Sequence, residues 1–384
     1  MINFDQAATS HPKPQAVIDA VVDAMHGLGG NAGRGVHRNA QATGEIMLKA
    51  RRKAASLFGC SRADHVLFFA NATTALNQAL KGFDLQQNDH VIATAFEHNS
   101  VRRPLNHLAR TKGIELSFLK WSGDNVSLLD KITQSIKPTT KLLVLTHASN
   151  VTGTVLPIEK AAHIAKKHGI TVVVDTSQTA GHLPIHMTDT GIDMLIMPGH
   201  KGLMGPQGTG LLLVAEDIDL EPILHGGTGH HSETPEQPQV WPEKFESGTS
   251  NIPGIAGLYA ALNAYEERQT EIVPRETILA RKIRSALEQL SNVTVYGPEV
   301  EHMELPIIAF NIQGVDSQEV AMILDSHYDI AVRAGLHCSP LAHEVLNTLE
   351  TGIVRASLGV YNTETETDTF IQALGDIAAA YKEQ

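Results

Sequence analysis

The stretch that decides the fold is TVVVDTSQTAGHLPIHMTDTGIDMLIMPGHKG, residues 171–202. Thr171 to Val174 form a short β-branched run that ends on a carboxylate, Asp175, and Met194 to Met197 form a second apolar run followed by Gly199, His200 and Lys201. Such continuous runs, without polar alternation, predict strands buried on both faces, as in a parallel sheet covered by helices. The polar residues then fall where the strands emerge. In open sheets of that kind, ligands bind beyond the carboxyl ends of the strands.

Working outward, strand-like segments at His65–Ala70, His90–Thr94, Leu142–Thr146 and Thr209–Val214 alternate with helical periodicity over 41–58, 74–82, 100–112 and 156–168. This alternation predicts an α/β fold with a mostly parallel sheet. Asn71, His98, Asn150, Asp175 and Lys201 all fall just past strand ends. A turn-rich segment from His225 to Asn251 predicts an excursion from the sheet, and a helical stretch from Gly254 to Leu290, broken at Pro274, leads to a second unit with strands at Leu305–Ile312 and Ile330–Arg333. The expected division is a large domain over 16–260 and a small domain made of 1–15 with 261–384.

Composition narrows the function classes. A net charge of −12 offers no basic face for nucleic acid. No apolar run approaches the length of a membrane span, and the N-terminus lacks the charged and apolar regions of a secretion signal. Two cysteines, Cys60 and Cys338, do not make a disulfide framework, so the expected compartment is the reducing cytoplasm. The glycines of 27–35 do not follow a strand and so do not form a dinucleotide fingerprint; a loop near the site entrance is expected. His225, His230 and His231 lack the acidic or thiol ligands that would complete a metal site, and none is expected.

The ordered set Asp175, Lys201, Cys338 has a chemical meaning. Pyridoxal phosphate withdraws electrons when a carboxylate keeps its ring nitrogen protonated and a lysine holds its aldehyde, roles that fit Asp175 and Lys201. Its phosphate needs an anion site. Ala70–Asn77, between a strand and a helix, supplies helix N-terminal N–H groups and the Thr73 hydroxyl. His98 could lie flat on the ring. Cys338, in VRAGLHCSP at 332–340, is a candidate nucleophile with Arg333 and His337 nearby to favour its thiolate, whereas Cys60 has no such context and reads as structural.

These residues carry a resemblance. The chain resembles the cysteine desulfurase and selenocysteine lyase subgroup of the class V aminotransferases, through FDQAATS at 4–10, NAGRGVH at 31–37, EHNS at 97–100, HASNVTGT at 147–154, DTSQ at 175–178, GHKG at 199–202, GPQGTG at 205–210, FESGTSN at 245–251, VRAGLHCSP at 332–340 and VRASLGVYNT at 354–363. The resemblance implies the aspartate aminotransferase-like fold of pyridoxal 5'-phosphate-dependent transferases, with a smaller C-terminal α+β domain. It implies that Lys201 holds the cofactor, Asp175 its ring nitrogen and Gln178 its phenolic oxygen, with His98 stacked on the ring and assisting proton transfer. Thr73 and His200 would bind phosphate, joined by Thr249 from a neighbouring subunit, which implies a homodimer with shared sites. Asn150 would lie near the substrate carboxylate and the ring oxygen, and Arg355 would take that carboxylate. Cys338 would then receive sulfur from L-cysteine, or selenium from L-selenocysteine, and pass it to an acceptor, which could be a protein. The other readings are an aminotransferase or lyase in which Cys338 is incidental, and an inactive scaffold that keeps the fold. The chain departs from the family at Asn71-Ala72-Thr73-Thr74, where Gly-Thr-Thr-Glu is frequent, and at Pro198, where a serine is frequent.

Overall fold

The computed structural model describes residues 1–382 except 33–34, 122, 230–232 and 269–273. Its strands in chain order are β1 (Ile2–Asn3), β2 (Val66–Phe69), β3 (His90–Thr94), β4 (Glu115–Leu119), β5 (Thr140–Thr146), β6 (Thr171–Asp175), β7 (Met194–Pro198), β8 (Gly210–Val214), β9 (Val293–Tyr296), β10 (Ile307–Ile312), β11 (Ile330–Ala331), β12 (Arg333–Gly335) and β13 (Ile353–Ser357). A seven-stranded sheet has the order β2-β8-β7-β6-β5-β3-β4. Every neighbouring pair in it is parallel except those involving β8, which runs against both β2 and β7. The carboxyl ends of β2, β3, β5, β6 and β7 therefore share one edge.

Burial explains the uninterrupted apolar runs. Val172 and Val174 face one cluster with Leu195 and Met197, while Val173, Met194 and Ile196 face the opposite cluster, against Leu76, Leu80, Val101 and Leu105 of the helices Ala72–Gly82 and Asn99–Lys112. Each of the three valines is fully buried, which stabilises by about 2 kcal/mol apiece. By the same two-residue alternation Asp175 emerges on the side of Val173, towards those two helices.

The C-terminal part forms a four-stranded antiparallel sheet, β12-β13-β10-β9, over a core that includes Phe310, Phe370 and Leu374. The N-terminus joins it: β1 pairs in parallel with β11, and Phe4 is buried in the same core. The helical stretch expected from Gly254 is two helices, Ile252–Arg268 and Arg275–Leu287, with Pro274 capping the second. The strand expected at Ile330–Arg333 is split at Val332 into β11, on β1, and β12, on β13. Residues 33–34 of the glycine segment, and His230 and His231, lie outside the described residues. Among the described residues no helix is long and apolar enough to cross a membrane, and no three His, Cys, Asp or Glu side chains gather as metal ligands would.

Candidate active site

The shared edge of the sheet encloses a cavity of about 100 Å³ whose lining includes Thr73, His98, Asn150, Asp175, Gln178, His200 and Lys201. These residues reach it for one local reason: each stands at the carboxyl end of β2, β3, β5, β6 or β7 or no more than four residues past it. Asp175 ends β6 and is 3% exposed. Its Oδ1 accepts the Ser177 N–H at 2.9 Å and the Ser177 hydroxyl, while Oδ2 has no protein partner among the described residues. Lys201 follows β7 through a turn that only glycine allows at position 199, where a Cβ would meet the Thr209 Oγ1 at 2.1 Å. As a residue Lys201 is half-buried, yet protein surrounds its ammonium closely enough that burial pulls its pKa down to about 8, with Asp175 opposing and Arg355 and Arg333 assisting.

His98 caps the helix Asn99–Lys112, its Nδ1 accepting the Ser100 N–H at 3.1 Å. That bond places the proton of the neutral ring on Nε2. Burial pulls the His98 pKa down, against the attraction of Asp175. Ser100 then links His98 to Thr73, with its Oγ 2.7 Å from Nδ1 and 2.8 Å from the Thr73 Oγ1. Thr73 sits in the first turn of Ala72–Gly82, whose cap is a reciprocal pairing of Asn71 and Thr74. The family departures at 71 and 74 thus have a local structural use. His200 has a buried Nδ1 without a protein partner, and burial pulls its pKa down to about 4, so the ring is neutral at physiological pH. Its carbonyl accepts from the Ser10 N–H, the Ser10 and Thr9 hydroxyls and Lys13 Nζ, at 2.9–3.2 Å. Gln178 donates to the Ala7 carbonyl at 3.3 Å.

Three expected site residues lie outside this cavity. Arg355, in the middle of β13, is 1% exposed; Nη2 pairs with Asp5 at 2.9 Å and Nη1 donates to the Asn150 carbonyl at 2.7 Å. Cys338 is exposed, in the four-residue loop between β12 and the helix Pro340–Leu346. Asn150 ties that loop to the cavity: Nδ2 donates to the His337 carbonyl at 2.7 Å and Oδ1 accepts the Ser339 hydroxyl at 2.6 Å. Further along, the Cys338 carbonyl accepts the Asn99 N–H at 2.8 Å. His337 and Cys338 both take left-handed backbone, φ 48° and 58°, which exposes the thiol and turns the intervening ring inward. His337 is consequently buried against the Ile353 carbonyl at 3.0 Å, and burial pushes its pKa down to about 3. It is a neutral structural group and not the cationic neighbour of the thiol that its sequence position suggested. Thr249 is exposed and lines a separate cavity with Gly208 and Asn251.

Sequence reasoning missed Ser100, Asp5 and Glu97. Glu97 is fully buried, with Oε1 accepting from the Thr94 hydroxyl at 2.7 Å and the Thr146 N–H at 2.9 Å, and Oε2 unpartnered. Burial, with the charge of Asp175 adding to it, pushes its pKa up to about 8. Ser100 and Glu97 stood in the EHNS segment and Asp5 in FDQAATS, but nothing in their spacing revealed their partners.

The family model described as "Aminotransferase class-V" matches residues 2–370. The chain belongs to the class V aminotransferase family. Among other members, a "probable cysteine desulfurase" of Halalkalibacterium halodurans is 33% identical over 97% of this chain and 92% of its own length, and a cysteine desulfurase of Escherichia coli O157:H7 is 33% identical over 96% and 91%. The apo structure of a cysteine desulfurase from Thermococcus onnurineus NA1 superposes with a TM-score of 0.87 at 32% identity, covering 100% of this chain and 95% of that one. The E. coli cysteine desulfurase CsdA does so at 0.87 and 28% identity, covering 98% and 94%.

Class V aminotransferases of the cysteine desulfurase kind depend on pyridoxal phosphate, and the donor set fits that group. A buried carboxylate with one oxygen unspent, an amine of lowered pKa, a buried imidazole nitrogen without a partner and a hydroxyl at a helix N-terminus face one cavity.

Proposed function

We propose that the protein is a cysteine desulfurase that converts L-cysteine to L-alanine and retains the sulfur as a persulfide on Cys338. The observation that carries this reading is the single residue Asn150, which lines the cavity of Lys201 and Asp175 and also holds both sides of the Cys338 loop. A thiol is thereby fixed at the rim of a site built to activate an amino acid. The curated relatives named cysteine desulfurase, similar over nearly the whole chain, support it.

In this reading Asp175, Gln178, Lys201, His98, Thr73 and His200 hold the cofactor, with Thr249 supplied by a second copy of the chain. The exposure of Thr249, away from its own Lys201, supports a homodimer with shared sites. When bound, pyridoxal phosphate supplies an electron sink for negative charge developing on the substrate carbons. Arg355 receives the substrate carboxylate, and Asp5 and the Asn150 carbonyl fix its plane. Lys201, whose amine is neutral more readily than an ordinary lysine's, moves the α-proton, and the Nε2–H of His98 serves as a second proton donor. The Cys338 thiolate forms an S–S bond to the substrate sulfur as the carbon–sulfur bond breaks. Cysteine plus the Cys338 thiol thus becomes alanine plus the Cys338 persulfide, with no external oxidant. The two cysteines, free in this fold, support a cytoplasmic setting. We also place the domain division at 16–260 against 1–15 with 261–384.

The test is to incubate cofactor-loaded protein with L-cysteine and a reducing thiol and quantify alanine and sulfide. Equimolar products that vanish in Cys338→Ala are expected. Alanine formation that survives Cys338→Ala would overturn the nucleophile assignment.

A further inference from the structure

Beside Cys338 lies an open groove of about 550 Å³ between its loop and the helix Asn99–Lys112. Its lining is one-sided: Arg102, Arg103, Arg110 and His107, two asparagines, Leu336, Cys338 and Pro340, and no acidic residue. None of the three arginines makes an ion pair or side-chain hydrogen bond to another described residue. In a chain with 42 acidic residues against 30 Lys and Arg, three adjacent unpaired guanidiniums are a local reversal of sign.

Helix stability does not account for them. A cation in the last turn, as Arg110 is, complements the helix dipole, but Arg102 sits in the first turn, where a positive charge opposes it at a cost of about 0.3–1 kcal/mol, and Arg103 follows directly, where the dipole gives it no favourable term. Nor does core packing, since the same helix turns Val101, Leu105 and Leu108 inward and leaves this face to the groove. These two cations stand at the end of the helix nearest the nucleophile, where the Asn99 N–H holds the Cys338 carbonyl at 2.8 Å.

Resting on the desulfurase reading, we propose that this groove receives an acidic segment of a partner protein that carries the acceptor cysteine. From Arg102 to Arg110 the helix advances about 12 Å, the span of about four extended residues, so the cations match a run of carboxylates along a chain. Leu336, 39% exposed beside Cys338, offers an apolar contact at the thiol end. The acceptor thiolate attacks the outer sulfur of the Cys338 persulfide; the new S–S bond forms on the acceptor and Cys338 leaves as thiolate, so electrons balance within the exchange. Charge complementarity of this kind acts chiefly on the rate of encounter and weakens with salt.

The probes are three thiols offered to protein first loaded with persulfide by L-cysteine: a peptide of one cysteine followed by four glutamates, the same peptide with glutamines, and mercaptosuccinate. The glutamate peptide is expected to take sulfur at least about tenfold faster than the glutamine peptide at low salt, with the ratio falling towards one near 0.5 M salt. In Arg102→Gln/Arg110→Gln the ratio should collapse. Equal rates for the two peptides at low salt would overturn the proposal, and so would mercaptosuccinate matching the glutamate peptide, which would assign the groove to a small anionic thiol. The alanine released during loading keeps the two ideas apart: its absence refutes the desulfurase, whereas stoichiometric alanine followed by charge-blind transfer refutes only the acceptor groove.

Discussion

The floor of the site and its rim are built on opposite physical terms. On the floor, Asp175, Glu97 and Lys201 stand at strand ends inside the protein, and burial moves the pKa values of Glu97 and Lys201 towards neutrality from opposite sides, both to about 8. At the rim, Cys338 is exposed, and its loop is held by backbone and amide hydrogen bonds. The floor stores electrostatic cost in its buried titratable groups; the rim keeps its thiol accessible from outside.

Substitutions can break that contrast, and the largest effect should separate the two regions outright. Lys201→Ala should abolish alanine formation, a loss of at least about 10³-fold, together with the absorbance of retained cofactor. Cys338→Ala should keep that absorbance and leave thermal stability within about 0.5 kcal/mol, while losing the persulfide. A Cys338→Ala protein that failed to retain cofactor would erase the distinction.

Next in size is Glu97. Its folded pKa lies above the unfolded value, so the folded state binds the extra proton between about pH 4.5 and 8 and stability falls as pH rises through that window. Glu97→Gln should remove the slope and gain on the order of 4 kcal/mol at pH 8 relative to pH 5, measured by urea denaturation at each pH. Lys201 has the opposite sign. Its folded pKa is depressed, so at pH 7 the cofactor-free protein carries a penalty that fades as pH rises from 8 to 10.5. Cofactor-free Lys201→Met should therefore be more stable than the parent by about 3 kcal/mol at pH 7, with the advantage vanishing near pH 10.5. A flat profile in either variant would mean that the floor is wetter than its geometry indicates.

The smallest effect tests the join between the regions. Asp5→Asn removes the charge partner of a buried guanidinium, but Asp5 keeps 29% of its side-chain surface, so a loss of about 2 kcal/mol is expected, less than for a fully enclosed pair. It should also raise KM for L-cysteine more than it lowers kcat, because Arg355 would still be charged but less well oriented. A kcat effect alone would remove Arg355 from carboxylate binding.

What the sequence revealed and what it hid follow the same division. Asp175 and Lys201 were legible because strands buried on both faces leave continuous apolar runs, and the first polar residue after each run marks the ligand edge. β4 and β9 went unread: their residues are half-exposed or exposed and no apolar run announces them. β13 was hidden differently, because a charged residue, Arg355, stands in the middle of a fully buried strand and breaks the pattern that identifies one. The thiol loop was recognised through its motif, but the inward turn of His337 depends on two consecutive left-handed residues that are not glycine, which local sequence preferences do not favour.

The ion pair of Asp5 and Arg355 also sets a clock on the protein's birth. The partners are separated by 350 positions, so at about 5–20 residues per second the ribosome needs roughly 20–70 s after Asp5 before Arg355 exists. Strands β2 to β8, with Asp175 and Lys201, are made long before that. A nascent chain can thus assemble the floor of its site while Arg355 and the Cys338 thiol are still unsynthesised.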